Sequence, residues 1–436
     1  MRRLDLSNDS NRHVAVIGAG VAGLVAAYRL VGRGDRVTVF ERSPFVGGQL
    51  VTTSVGGEPV ECYYHHAFTS DSALWALCEE LGLSDKVLWL PSSMGYYADG
   101  RLYPFGTPKS VLGFTPLGWW GRFEFAVSAL WLTHGMSQKT SEQYAVKDWF
   151  VSRGFGKVWE VIWRPLFHLK FADDADDISL TWLWGKFQTR GKSRKAGGSA
   201  EVLAYMNGSF GVLATTLAGK IREGGGVIQL NTPVDGLKRL ADGGMMVNNQ
   251  RFDAVISTVS SDVLAQSATW SLAFLEQLSA LTYKAAICVM IVSYRAWFPV
   301  YWTNVGDMTL PFGGVIEHTR FVPPSVYGGR HIMYLSRYVS ESDPLFLMPE
   351  DELVRLFLDG LRLICPEFDE TAISDLKVFR QRNAQPVVRG GYRAPEMVTE
   401  IPNVIWISTH HTYPFDRGIN YAIECADAAV GRLESN

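Results

Sequence analysis

Cysteine is scarce in this chain and scattered. The five, at positions 62, 78, 288, 365 and 425, include no C-x-x-C pair, which argues against a disulfide frame or a zinc site and suits a reducing, cytoplasmic compartment. Neither sign of charge is in excess, and a net −3 gives no electrostatic basis for binding nucleic acid. The one local basic run, residues 186–195, reads as a solvated loop. Long apolar runs are missing as well. The longest, residues 123–133, is interrupted by Glu124 and falls short of the ~20 residues a spanning helix needs, so no transmembrane segment is expected. Peripheral contact with a membrane stays open. Arg2 and Arg3 have no apolar stretch behind them, so residues 1–9 do not read as a signal peptide. No internal repeat, low-complexity tract or G-x-S-x-G elbow is present, which removes repeat architectures and one route to a serine hydrolase. The His65-His66 and His410-His411 pairs lack the helical spacing of metal ligands, and no metal is expected.

What is present starts at residue 13. The apolar run Val14-Ala15-Val16-Ile17 reads as a buried strand, and Gly18-Ala19-Gly20-Val21-Ala22-Gly23 follows it directly. Gly18 supplies a tight turn, Gly20 lets backbone reach a pyrophosphate, and Gly23 lets the next helix pack closely on the sheet. That helix, with Leu24, Ala27 and Leu30 on its apolar face, would aim its N-terminal N–H groups at the phosphates. A second strand over residues 36–40 ends at Glu41, at about the ~20-residue spacing of an acid that binds ribose hydroxyls and disfavours a 2′-phosphate. The chain therefore holds a dinucleotide.

With 436 residues, 47% of them hydrophobic, the chain suffices for two domains and a ligand cleft. A helix is expected over residues 72–81 and a turn with a short strand over 57–66. Eight of the fourteen tryptophans fall between Trp119 and Trp184, a density that reads mostly as an aromatic helical core. Arg153, Lys157, Arg164, His168 and Lys170 share that segment, so it also suits a pocket for a flat or amphipathic substrate with a negative group. Nucleotide-domain character returns with a helix carrying Leu213, Leu217 and Ile221, a strand over 227–230, Thr232-Pro233-Val234, and a single strand over 252–258. Strands over 285–294, 313–316 and 331–335 and a helix over 352–363 suit a sheet-based substrate domain. A last buried strand, 404–408, leads through His410 to Gly418 into a C-terminal helix. The expected division is a discontinuous nucleotide domain (12–95, 205–265 and 370–436) interleaved with a substrate domain (96–204 and 266–369).

Glu41-Arg42-Ser43-Pro44-Phe45-Val46-Gly47-Gly48-Gln49, Asp148-Trp149-Phe150, Ile162-Trp163-Arg164-Pro165-Leu166, Lys170-Phe171-Ala172-Asp173-Asp174, Gly314 to Thr319 and Tyr413-Pro414-Phe415-Asp416-Arg417-Gly418-Ile419-Asn420 carry a resemblance to the FAD-dependent amine oxidase superfamily. Within it the chain resembles the bacterial protoporphyrinogen oxidase-like branch. The resemblance implies an α/β fold in which a Rossmann-type, GR2-like FAD-binding domain is interleaved with a mixed substrate domain of sheet plus helical subdomain. It implies FAD as cofactor, with Gly18, Gly20, Gly23 and Glu41 on the ADP half and Ala19, Ala22, Arg42, Gly48 and Gln49 beside them. The backbone of Val234 falls at the adenine side. Tyr413, Asp416, Gly418, Ile419 and Asn420 bring a helix N-terminus to the flavin pyrimidine edge. Two departures stand out: Gln49 replaces the arginine usual after the double glycine, and Asn207-Gly208-Ser209-Phe210 replaces Gly-Gly-Phe.

Only one dinucleotide fingerprint is visible, because neither Gly224 to Gly226 nor Gly313-Gly314 precedes a helical pattern. Electrons are therefore expected to leave to oxygen, a quinone or a carrier rather than NAD(P)H. The expected reaction is hydride removal from a C–N, C–O or C–C bond of a medium-sized biosynthetic small molecule. The alternative is a flavin-dependent isomerase or mutase without net redox, acting on an anionic or nucleotide sugar. His65, His66 and Tyr64 are the candidate catalytic residues, since the matching superfamily segment passes the isoalloxazine and histidine titrates near neutrality. Arg337, Arg382 and Arg389 are candidates for an anionic substrate group.

Overall fold

The computed structural model describes residues 12–193 and 201–435. The N-terminal segment 1–9, and Arg194 and Lys195 of the basic run, lie outside the described residues. The apolar strands of the fingerprint region assemble a five-stranded parallel sheet in the order Val227–Gln229, Arg36–Phe40, His13–Ile17, Ala254–Ser257, Val404–Trp406. Its strands come from the first, middle and last parts of the chain, so the sheet forms only when distant segments meet. The helix Val21–Gly32 buries Leu24, Val25, Ala26, Ala27 and Leu30 against it, and Gly211–Glu223 and Ile419–Ser435 pack alongside. All-parallel sheets need both faces covered, which is why these strands read as unbroken apolar runs.

A second, seven-stranded sheet runs Ile373–Pro386, Tyr283–Ser293, His331–Val339, Gly314–Glu317, Trp302–Val305, Met94–Ala98, Arg101–Phe105. Every pairing in it is antiparallel except that of Trp302–Val305 with Met94–Ala98. Its Ile373–Pro386 strand, on the edge beside Tyr283–Ser293, moves the expected boundary at 370: the chain returns to the parallel sheet only after residue 386. The helix Glu350–Ile364 covers one face of this sheet. Between residues 108 and 193 the chain is helical, around a core that includes Trp149, Phe150, Trp159 and Phe171.

The strand expected over 252–258 is two strands. Gln250–Phe252 closes a small antiparallel sheet, and Ala254–Ser257 enters the parallel one. Asp253 marks the break, its carboxylate accepting from the His13 N–H at 2.8 Å and from Arg251 at 2.7 Å. The strand expected over 404–408 stops at Trp406 because the Ser408 hydroxyl caps the turn Thr409–Thr412. No described helix is long and apolar enough to cross a membrane.

Candidate functional site

At the mouth of the fingerprint the glycines differ in what they exclude. Gly18 has φ +100°, and a Cβ there would meet Thr258 Oγ1 at 2.4 Å; one on Gly23 would meet the Gly18 carbonyl oxygen at 1.9 Å. Gly20 faces open space, with no heavy atom within 4 Å of the place its Cβ would take. The helix that starts behind it has no side-chain cap and no acid in its first turn, so its terminal N–H groups are left for an anion. Gly47 donates its N–H to the Ala19 carbonyl at 2.8 Å, locking the double-glycine loop onto the fingerprint. Glu41 accepts from the Ala19 and Ser43 N–H groups at 2.8 Å each. One bond per oxygen leaves the carboxylate lone pairs for ribose hydroxyls. Ala22 and Gln49 are half-buried, Arg42 and Gly48 are exposed, and Val234 packs beside the core around Phe40 and Phe252. This set fits the ADP half of FAD.

The departure at Asn207-Gly208-Ser209-Phe210 has a local explanation. Ser209 adopts φ +70°, the left-handed region that glycine occupies without strain, and the Phe210 N–H is fixed on Glu61 at 2.5 Å. Glu61, not singled out in the sequence, is a buried carboxylate that also accepts from the Tyr205 hydroxyl at 2.6 Å. Burial raises its pKa against these bonds. It anchors the strand end that delivers Tyr63, Tyr64, His65 and His66.

Those candidate catalytic residues come together as buried, hydrogen-bonded groups. His65 Nδ1 lies 2.5 Å from the Tyr63 carbonyl oxygen, and His66 Nδ1 lies 3.1 Å from the Tyr301 hydroxyl. Burial pushes His65 down to about 4 and His66 down to about 3, so the expectation that they titrate near neutrality is corrected. Tyr64 pairs with the Ser336 hydroxyl at 3.1 Å, and burial, reinforced by Tyr338, raises its pKa well above the usual phenol range. Burial favours the uncharged form of all three near neutral pH, and each is hydrogen-bonded within the protein.

Charge enters the same cleft from elsewhere. Asp416 accepts from Lys170 Nζ at 3.3 Å, Trp182 Nε1 at 3.1 Å and Gln385 Nε2 at 3.0 Å, and pairs with Lys186. Burial alone would raise this carboxyl; Lys170, Lys186 and Arg417 outweigh it and hold the group well below the usual carboxylate range. Arg417 donates to the Tyr338 hydroxyl at 2.5 Å, while its buried Nε has no partner among the described residues. Lys170 lies over the rings of both Trp182 and Tyr338, at 5.0 and 5.3 Å. Burial lowers Lys170 as well as Lys186, the latter to about 8, against the opposing pull of Asp416. The fields of Arg417 on His65 and of Lys186 and Arg190 on His66 show that cluster and histidines lie near one another. With three cations to one acid, the cluster has a surplus of positive charge.

The remaining expected residues are distributed more widely. Asn420 gives its amide oxygen to the N–H groups of Ala73 and Leu74, at 2.9 and 3.2 Å, capping the helix Ser72–Glu80. The helix terminus at Gly418 and Ile419 is therefore what this segment offers a cofactor, rather than the Asn420 side chain. Tyr413 packs against Tyr392 with the rings tilted, 5.1 Å between ring centres. Among the sequence-predicted cations only Lys170 reaches the cluster. Arg153 lies over Tyr144 and two tryptophans, Lys157 is exposed, Arg164 pairs with Glu160 on the surface, and burial lowers the pKa of His168. Arg382 pairs with Glu341 and Arg389 with Asp174; Arg337 keeps two buried nitrogens without a partner among the described residues. Lys186 is a correction: it sits on the helix Leu180–Ser193 and reaches Asp416, not a solvated loop. Its spacing from Trp182 and Arg190, at i−4 and i+4, was the signal available for that face. No group of three or more metal-ligating side chains occurs among the described residues.

Comparison with known proteins gives the family. The chain matches the flavin-containing amine oxidoreductases over residues 21–433 and belongs to that family. Coproporphyrinogen III oxidase of Mycobacterium tuberculosis is 37% identical over 109 residues, 23% of this chain and 23% of that protein. A probable zeta-carotene desaturase of Synechococcus elongatus is 25% identical over 198 residues, 40% of this chain and 41% of its own. These alignments therefore span less than half the length of either relative. The fold matches a candidate protoporphyrinogen oxidase from Exiguobacterium sp. 255-15 with a TM-score of 0.79 over 98% of this chain and 100% of that one, at 16% identity.

Proposed function

We propose that this chain is an FAD-dependent oxidoreductase that removes a hydride from a C–N or C–C bond of a flat, carboxylate-bearing substrate of the reduced-tetrapyrrole class. The observation that carries the reading is the surplus of positive charge at Lys170, Lys186 and Arg417, set against the rings of Trp182 and Tyr338. The relatives named as coproporphyrinogen oxidases support the substrate class. Bound FAD supplies the two-electron acceptor. The cations hold a substrate carboxylate, and Asp416 fixes their positions and keeps them protonated. The aromatic rings accept the flat face. His65, His66 and Tyr64, neutral near pH 7, orient the substrate by hydrogen bonds. The N-terminus of Ile419–Ser435 would hold the flavin with its positive dipole end and favour negative charge on it.

The test is anaerobic flavin reduction by a reduced tetrapyrrole as the free acid and as its methyl ester. The acid is expected to reduce the flavin with roughly tenfold or greater apparent preference over the ester, the size of one charge-assisted contact. Lys170→Gln with Lys186→Gln should erase that preference while flavin stays bound. Equal behaviour of acid and ester in the unmodified protein rejects the substrate reading. Product formed without peroxide or reduced acceptor would point instead to an isomerase.

A further inference from the structure

The helix Gly118–Leu130 is built inside out. It buries Gly121, Arg122, Glu124 and Ser128, and it leaves Trp119 80%, Trp120 72%, Phe123 58% and Leu130 62% exposed. At 100° per residue, Trp119, Trp120, Phe123, Leu130 and Trp131 fall within an arc of about 120°, a continuous apolar stripe. Leu112, 63% exposed, lies on the preceding short helix Pro108–Leu112. Rotation of the stripe into the core is prevented by Arg122, whose guanidinium donates to the Phe114 carbonyl at 3.0 Å and the Leu112 carbonyl at 2.6 Å. Isolated exposed apolar residues are ordinary, but several large aromatics on one face are not.

The surrounding charge says what covers them. Between residues 101 and 141 the only acid is Glu124, which is buried, whereas Arg101, Lys109 and Lys139 are exposed. Lys157 is exposed beside the same helix, its Cγ 3.4 Å from where a Cβ on Gly121 would sit. Tryptophan and phenylalanine flanked by lysine and arginine, with no exposed acid between residues 101 and 141 and exposed ones beyond that stretch at Asp148 and Glu160, are the composition that settles at the boundary of an anionic bilayer. We infer that the exposed face of Gly118–Leu130, with Leu112 and Trp131, is a docking surface for the headgroup and upper acyl region of an anionic membrane. The patch lies one helix away from the cleft. The turn Trp131–Gly135 accepts hydrogen bonds from Gln188 through the Leu132 and Thr133 carbonyls, at 3.0 and 3.1 Å, and Gln188 shares its helix with Trp182 and Lys186. Docking therefore brings the cleft close to the lipid phase without any segment spanning it.

The experiment is co-sedimentation of the full-length, FAD-loaded protein with phosphatidylcholine vesicles with and without phosphatidylglycerol. Binding is expected to the anionic vesicles, weakened roughly tenfold or more by Trp119→Ser with Trp120→Ser and Phe123→Ser, and reduced by salt. The variant should keep its flavin spectrum, since the altered side chains are exposed. Brominated lipid should quench tryptophan fluorescence of the unaltered protein. The inference is overturned if that protein stays in the supernatant with both vesicles, if the triple variant binds equally, if brominated lipid leaves the fluorescence unchanged, or if the unaltered protein is a dimer that the triple variant dissolves without lipid.

Discussion

The two ends of the cleft are built from different materials. At the ADP end the work falls to backbone: glycines, a helix terminus and one acid, all within residues 18–48. At the other end it falls to side chains from five separate segments: Lys170, Trp182 with Lys186, and Gln385 meet on the Asp416 carboxylate, and Tyr338 meets the neighbouring Arg417. A backbone site leaves its mark in contiguous sequence, because each glycine answers a steric demand of its neighbours. A side-chain site assembled by tertiary folding leaves no such mark.

The sharpest test of the backbone end separates two glycines three residues apart. Gly23→Val should fail to fold, a loss above ~4 kcal/mol, because its Cβ would lie within bonding distance of a backbone oxygen that cannot move aside. Gly20→Val should fold, since its φ of −70° suits any residue and its Cβ meets no protein atom, yet it should be purified without flavin. Soluble expression, circular dichroism and the visible spectrum distinguish the outcomes. A yellow Gly20→Val protein would show that the open space is not where the pyrophosphate lies.

Asp416→Asn probes the other end. It leaves Lys170, Lys186 and Arg417 with no acid among the partners found for them, and a loss of about 3 kcal/mol in urea unfolding is expected, the size for breaking a buried pair by removing one partner. A loss below ~0.5 kcal/mol would mean that the cluster is solvated and carries no excess charge into the cleft.

Sequence and structure agree best where packing is local. The strands of the parallel sheet, the glycine turn and the helix near residue 72 lie close to where apolar period and turn residues put them. Agreement fails where the same pattern has two physical readings. Aromatic residues at helical spacing read mostly as core, which holds for Trp149 and Trp159 and reverses for Trp119 and Trp120, since period alone does not say which side a stripe faces. The basic run at 186 looked solvated because its counter-charge, Asp416, is 230 residues away. The break at Asp253 was hidden by apolar neighbours on both sides.

Buried histidines supply a smaller, collective effect. Burial lowers His65 and His411 to about 4 and His66, His318 and His410 to about 3. Unfolded histidine takes up a proton near pH 6.5 while these folded ones do not, so the unfolded state binds more protons as pH falls from 6.5 toward 4, and stability drops across that window. Glu317, raised to about 7, Asp71, raised to about 6, and Glu61 and Glu124, also raised by burial, act in the opposite sense, and the five histidines are expected to outweigh these four acids. A fall in Tm of about 2–5 °C per pH unit below 6.5 is expected, shallower in His318→Gln. A Tm that rises on acidification would show that the buried acids dominate.

The smallest effect is expected at Ser209, where the chain departs from the family's glycine. Ser209→Gly removes left-handed strain of ~1 kcal/mol but gives the unfolded chain more freedom, and it deletes the 3.2 Å bond from the Gly211 N–H to the Ser209 hydroxyl. These contributions nearly cancel, so stability should change by less than about 1 kcal/mol. Flavin retention should not change at all, because the Glu61 contact that orders this loop runs through the Phe210 backbone. A larger loss would mean that the hydroxyl itself holds the loop. The substitution of serine for glycine would then be a working part of the side-chain end rather than a tolerated variation of the backbone one.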